Sequence, residues 1–249
     1  MSPRTRRLLG PHGKNNYIIA VKWIFKRSKI ANLTPNELAK LKKFKADNKG
    51  RYIEEDAFYR LLRYAPSNTY ELAYLLVFKT GIRPHELLSV TVQDVEERSD
   101  GLVLMKIPEE NHITPSKKNK TGGRTIIVQQ NATQLLKRVK RLKITQPQAS
   151  HMRLFPLKNG MFSIIFSRMK QKQLKEASNP ETPFKGRLYD LRHTAITNLY
   201  LKGLSNQEVR KLVGWTPSSK MPDVYVHLHI NHIITSFRRK STLRARTIP

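Results

Sequence analysis

From residue 16 to residue 28 the stretch NYIIAVKWIFKRS puts Ile18, Val21, Ile24 and Phe25 on one helical face, with Lys22, Lys26 and Arg27 turned away. Before it, residues 1–14 mix Arg, Gly and Pro and read as a flexible arm. Thr34-Pro35-Asn36-Glu37 opens a second short helix, with Thr34 as N-cap, Pro35 in the first turn and Glu37 three residues on. That helix runs into Lys40, Lys42, Lys43, Lys45 and Lys49, a basic stretch that reads as a linker ending at Gly50. Two helices follow, Glu54–Tyr64 and Thr69–Thr80; the apolar run LAYLLVF marks the second as a core helix, and Gly81 caps it. A third helix starts near Pro84.

The period then changes. Leu102–Ile107 and Arg124–Val128 are rich in Val, Ile and Leu and predict two strands. The polar, basic Thr114–Gly123 (TPSKKNKTGG) between them predicts a hairpin. Helical periodicity returns over Thr133–Ile144, Met161–Leu174, Tyr189–Leu201 and Asn206–Val213, then in a short piece near Tyr225 and over Ile230–Lys240. The expected fold is mainly α with a small antiparallel β-sheet (α+β) and a short helical N-terminal arm. Two parts are expected, residues 1–50 and residues 51–249. The chain shows no internal repeat and no low-complexity tract.

Charge narrows the class. Forty-seven basic residues face 18 acidic ones, for a formal net charge of +29. Such an excess repels itself unless a polyanion is near, and nucleic acid is the first candidate. A ribosome or an anionic membrane surface is the blander alternative. Without cysteine the chain has neither disulfides nor thiolate metal sites. No apolar run is long enough to span a bilayer, and Met1–Lys14 lacks the apolar core of a secretion signal. A cytoplasmic place is expected, at the nucleoid or in a host cell if the protein is virus- or plasmid-encoded.

Four segments carry candidate chemistry. In TGIRPHELL, Arg83 sits at a helix start just after a glycine cap, where guanidinium and helix N–H groups can converge on an anion. In KKNKTGGR, a lysine at a hairpin tip can reach a neighbouring groove. In GRLYDLRHT, Tyr189 and Arg192 lie three apart and share a helix face, while Leu188, Leu191 and Ala195 hold that helix to the core. The last segment runs from Val213-Gly214-Trp215 to Asp223-Val224-Tyr225-Val226-His227. Taken singly, each reads as readily as a surface arginine, a solvated basic turn, an amphipathic helix or an ordinary aromatic.

In this order the four resemble the catalytic domain of the tyrosine recombinases, the phage-integrase family. TGIRPHELLSV looks like the family's first box, and YDLRHTAITNLYLKG, NQEVRKLVGW and VYVHL like its second. The resemblance spans roughly residues 51–230. It implies double-stranded DNA as partner, cleavage and rejoining through a covalent 3′-phosphotyrosyl link, no cofactor and no metal. It casts Arg83 and Arg192 as the clamp on the scissile phosphate and Tyr225 as the nucleophile. Lys120, with Lys118 as the alternative, becomes the acid that protonates the leaving 5′-oxygen. Trp215 contacts the phosphate through its indole N–H, and Glu86 orients Arg83. Residues 1–50 correspond to the last part of a core-binding domain, and the helix at about 230–240 to the one that family members exchange between protomers. A tetramer on DNA follows from that.

Two departures stand out. The family's usual histidine is replaced by Tyr189, and a phenol is a poorer proton shuttle than imidazole by roughly three to four pKa units. His193, directly after Arg192, is turned about 100° round the helix from it and is not expected to substitute. The Trp215–Tyr225 spacing is about a residue long for the family, and Pro222 interrupts the helix expected to carry the tyrosine. The chemistry itself is coherent. Two arginines favour the five-coordinate phosphorus, a phenol attacks, a lysine supplies the leaving proton, and the bond energy is kept in the link. The alternatives are a nicking-and-resealing enzyme of type IB topoisomerase character, a non-catalytic DNA-binding relative on the same scaffold, and a ribosomal or RNA-binding protein.

Overall fold

Proline at the first helical position, where a missing N–H costs nothing, starts helix α1 (Pro11–Arg27) five residues earlier than the hydrophobic pattern suggests. The supposed flexible arm is therefore helical over residues 11–14. The computed structural model describes residues 10–27, 40–44, 51–107, 123–129, 131–146, 148–176 and 183–225. The chain divides into two compact units, Met1–Lys49 and Gly50–Pro249. In the first, Asn15 brackets Phe44, donating to its carbonyl (3.0 Å) and accepting from its N–H (2.7 Å). The expected helix after Thr34 and the one at 230–240 lie outside the described residues.

The second unit holds α2 (Glu55–Leu62), α3 (Asn68–Thr80), the single-turn α4 (Pro84–Leu87), α5 (Ala132–Thr145), α6 (Asn159–Glu176), α7 (Leu188–Leu201) and α8 (Asn206–Val213). Its sheet is antiparallel, in the order β1 (Val95–Glu97), β2 (Val103–Ile107), β3 (Arg124–Val128). Two of these strands follow from alternation, with Val103, Met105 and Ile107 buried opposite Val128, Ile126 and Arg124. The third, Val95–Glu97, is too short and too acidic to stand out in the sequence. Most of the expected basic hairpin lies outside the described residues. Among the described residues no helix is long and apolar enough to cross a membrane.

Helix α3 runs through the core, with Leu72 to Phe78 all buried. Phe58 stacks on Phe78 (4.2 Å) and Tyr74 on Phe162 (4.3 Å), and the Tyr74 hydroxyl donates to the Phe162 carbonyl (2.8 Å). Helix α3 packs on α7, and α8 packs on both β3 and α7. Gly81 ends α3 at φ 69°, a left-handed conformation that glycine adopts without strain, and a β-carbon there would press on Ala195 of α7 at 3.2 Å. The Ser205–Glu208 capping box starts α8, and Gly214 ends it at φ 68°. These two glycine caps turn the ends of α3 and α8 toward α7, which carries Arg192.

Candidate active site

The last carbonyls of a helix have no partner within it, and its C-terminus attracts cations. In α8 three arginines meet this demand in register. Arg124 Nε of β3 donates to Leu212 O (3.2 Å), Arg192 Nη2 of α7 to Val213 O (2.8 Å), and Arg83 Nη2, just before α4, to Gly214 O (3.1 Å). Arg192 also donates through Nη1 to the Gly81 carbonyl. The two glycine-capped ends are thus stitched together by one guanidinium, the largest fully buried side chain, which is 1 % exposed.

Glu86 is the counter-charge. Fully buried, it accepts from Arg83 Nη1 (2.7 Å), the Arg83 backbone N–H (3.1 Å), Arg124 Nη1 (3.0 Å) and Arg124 Nη2. Burial pushes its carboxyl up, but the bonds and charges of Arg124, then Arg83, outweigh this and hold it at about 2. Arg83 and Arg124 share this one carboxylate, and Arg192 adds a third guanidinium bonded, among the described residues, only to carbonyls, so the cluster stays net positive. Burial first, then the charge of Arg83, works against the charge on Arg192. Gly214 keeps the cluster tight, because a β-carbon there would meet the Arg124 guanidinium at 2.6 Å.

Beside the arginines lies an aromatic group. Tyr225 ends the 3-10 turn Met221–Tyr225 and is buried. Its ring lies 5.5 Å from that of Tyr200, 5.9 Å from Trp215 and 6.0 Å from His193. Its hydroxyl shares a hydrogen bond with His193 Nδ1. Burial raises the Tyr225 phenol well above its ordinary value, while nearby Arg192 pulls it back in part. Burial also lowers the His193 imidazole, so the ring is neutral at pH 7. The loop leading to Tyr225 hangs from Arg210, which donates to the carbonyls of Thr216 (2.8 Å), Pro217 (2.9 Å) and Ser219 (2.9 Å).

The sequence model of the Phage integrase family matches residues 51–232. The chain belongs to this family of tyrosine recombinase enzymes. It is 24 % identical over 234 residues to Tyrosine recombinase XerA of Saccharolobus solfataricus, covering 94 % of this chain and 69 % of that one. Its fold is similar to that of the Tn1549 transposon integrase in complex with transposon right-end DNA, at a TM-score of 0.64 and 16 % identity over 94 % of this chain and 80 % of that one. It is also similar to a lambda integrase tetramer bound to a Holliday junction, at 0.53 and 17 % over 84 % and 59 %.

This recombinase brings Arg83, Glu86, Arg192, Trp215 and Tyr225 into one neighbourhood, although they come from three separate segments of chain. Lys120 and Lys118 lie outside the described residues. Tyr189 is 49 % exposed, with its ring edge-on to His193 at 5.5 Å, and its phenol lies close enough to act on the charges of Arg192 and Tyr225. Pro222 is buried, and the tyrosine sits on a tight 3-10 turn where a helix was expected. Two residues escaped the sequence reading. Arg124 shares the inward period-2 face of β3 with Ile126 and Val128, and a basic residue on a buried strand face is a readable signal. His193 was set aside because it points away from Arg192. It follows Tyr189 by four residues, however, which puts it on the face that meets Tyr225.

Proposed function

We propose that this recombinase cuts and rejoins double-stranded DNA through a covalent 3′-phosphotyrosyl link on Tyr225, in site-specific recombination or integration. The observation that carries this reading is the net-positive cluster of Arg83, Arg124 and Arg192 at the end of α8, with a tyrosine hydroxyl beside it. Arg83 and Arg192 neutralise the scissile phosphate, and their planar forks suit two of its oxygens. Trp215 adds an indole N–H, and Glu86 keeps Arg83 aimed. Lys120, or Lys118 in its place, protonates the leaving 5′-oxygen.

Arg192 is 1 % exposed and Tyr225 4 % exposed, so a phosphate reaches them only when the Trp215–Tyr225 segment lifts. The free protein is therefore a closed form, and DNA binding opens it. Residues 51–249 act as the catalytic domain and residues 1–50 as a partial core-binding arm, with the stretch at about 230–240 exchanged between protomers of a tetramer on DNA. The protein works in the cytoplasm, at the nucleoid or in a host cell.

The test is covalent capture. The full chain is incubated with a randomised pool of nicked duplexes, in which the short 5′ fragment diffuses away after cleavage, and SDS-resistant protein–DNA adducts are recovered and sequenced. The native protein forms adducts and Tyr225→Phe forms none. DNA retention without any adduct would show a non-catalytic binder, and adducts that persist in Tyr225→Phe would show another nucleophile.

A further inference from the structure

We propose that His193 is a catalytic residue, the base that takes the Tyr225 proton. This rests on Tyr225 being the nucleophile. Three observations support it. First, the imidazole Nδ1 is hydrogen-bonded to the hydroxyl that would react. Second, it is well suited among the side chains around that hydroxyl. Arg192 and Trp215 have no acceptor, and Tyr189 and Tyr200 offer only further phenols, poorer proton acceptors than imidazole. Third, Tyr189 and His193 are four apart on α7 and so share a face. The proton-handling group has in effect moved one turn along the helix. Tyr189, half exposed, is left as an edge-on wall for the imidazole.

The groups around His193 set its protonation. Burial lowers the imidazole, the Asp190 carboxylate raises it, and the guanidinium groups of Arg192 and Arg187 lower it. Tyr189 and Tyr225 complete its surroundings. The pull of Asp190 is divided, because its carboxylate also accepts from Arg187 Nη2 (3.0 Å), the Arg187 backbone N–H (2.8 Å) and the Arg51 backbone N–H (3.5 Å). The imidazole therefore stands ready as a neutral acceptor at pH 7.

The step balances. As the Tyr225 oxygen bonds to phosphorus, its proton passes to the lone pair of Nδ1, giving imidazolium. The P–O5′ bond breaks, and the leaving oxygen takes a proton from the lysine acid. In rejoining, the 5′-hydroxyl gives its proton back to the lysine and attacks phosphorus, the P–O bond to tyrosine breaks, and His193 returns the proton to the phenolate. Nothing is oxidised or reduced. Arg192, close to both, favours the phenolate but carries no lone pair to receive a proton.

The experiment uses a nicked duplex recovered in the adduct capture and follows single-turnover cleavage by the full chain from pH 5 to pH 9. For the native protein, the rate rises with pH and levels off below the ordinary imidazole value. His193→Gln keeps the volume and a hydrogen bond but cannot take a proton. It slows cleavage by roughly 10²–10⁴-fold, the usual worth of a general base, and the acid limb vanishes. A duplex with sulfur at the bridging 5′ position needs no leaving-group proton. It restores Lys120→Ala but leaves His193→Gln slow, which separates a base from an acid. If His193→Gln does not fold, His193→Ala with added imidazole carries the same test, with rescue expected. Cleavage by His193→Gln within a few-fold of native and with an unchanged acid limb would overturn the proposal, as would failure of imidazole to rescue a folded His193→Ala. Absence of adduct from the native chain, or its survival in Tyr225→Phe, strikes the reading of Tyr225 itself. Normal native adduct with an indifferent His193 strikes only this inference.

Discussion

The two halves of the site are held in different ways. On the arginine side, Arg83, Arg124 and Arg192 come from three stretches of chain and lock onto three successive carbonyls and one buried carboxylate. On the tyrosine side, Tyr225 ends a five-residue 3-10 turn and, among the described residues, its side chain is held by ring contacts and a hydrogen bond to His193. Charged hydrogen bonds inside a protein are directional and costly to break one at a time. Ring packing is less directional and allows sliding. The contrast suggests a division of labour, in which the phosphate clamp is built in advance and the nucleophile is free to move. The arginine side should then be part of the fold, and the tyrosine side separable from it.

The largest test of that division is Arg192→Ala. It strips the donors from Gly81 O and Val213 O and empties the space of the largest fully buried side chain. Denaturant unfolding should show a loss of about 3–5 kcal/mol, as for a broken buried charge network. Adduct formation should fall by more than about 10³-fold, the upper range for losing one donor to a developing charge. Tyr225→Phe is the counterpart. It removes one hydrogen bond and should cost no more than about 1.5 kcal/mol while abolishing the adduct. If both variants unfold at the same denaturant concentration, the division fails.

Acid gives the next largest effect and reads the halves in different windows. The Glu86 carboxyl is held at about 2 against an ordinary 4.5, so as pH falls below 4.5 the unfolded chain takes the proton first and stability drops. That contribution, about 3 kcal/mol from the size of the shift, is fully present above pH 4.5 and lost as pH approaches 2. His193 is also depressed, from an ordinary 6.5, so its stabilising effect starts to fade at higher pH, as the solution falls below 6.5. Urea midpoints measured from pH 8 to pH 3 should fall in two stages. Glu86→Gln should lower the midpoint at pH 7 and flatten the lower stage only, because it leaves Arg83 and Arg124 without their counter-charge. A lower stage unchanged in Glu86→Gln would assign the acid sensitivity elsewhere, with the Arg187-bonded Asp190 the next candidate.

Much of this was legible in the residues. Periodicity located α8, β2 and β3, because each buries one face, while the apolar run of α3 and the helical pattern of α7 marked helices buried nearly all round. Gly81 announced the end of α3, since only a left-handed residue without a β-carbon fits so close to Ala195. The linear order of motifs pointed to Arg83, Arg192, Trp215 and Tyr225, and the fold brings them together. What could not be read was set by contacts between distant stretches. Arg124 looks like one more cation in a basic segment until β3 packs on α8 and carries it to Glu86. His193 looks misdirected when judged from Arg192 alone, because its partner arrives 32 residues later on a turn whose path depends on Pro222 and the Arg210 clasp. Helix α1 began early because the N1 proline outweighed the weak apolar pattern around it.

The smallest expected effect lies at Tyr189, and it decides how the tyrosine side handles protons. Tyr189→Phe keeps the ring that walls His193 and deletes only the hydroxyl, on a side chain that is 49 % exposed. Stability should stay within about 0.5 kcal/mol, as for most surface changes. If His193 is the base, single-turnover cleavage should change by no more than about threefold, within what one exposed hydrogen bond to a phosphate is worth. A Tyr189 phenol acting as the shuttle would instead make its loss cost on the order of 10²-fold or more. The same pair of variants also separates proton transfer from simple orientation of the imidazole. Tyr189→Ala removes the wall as well, so a drop in Tyr189→Ala that is absent in Tyr189→Phe belongs to the ring. In that outcome Tyr189 contributes shape, and the proton chemistry lies one helical turn further on, at His193.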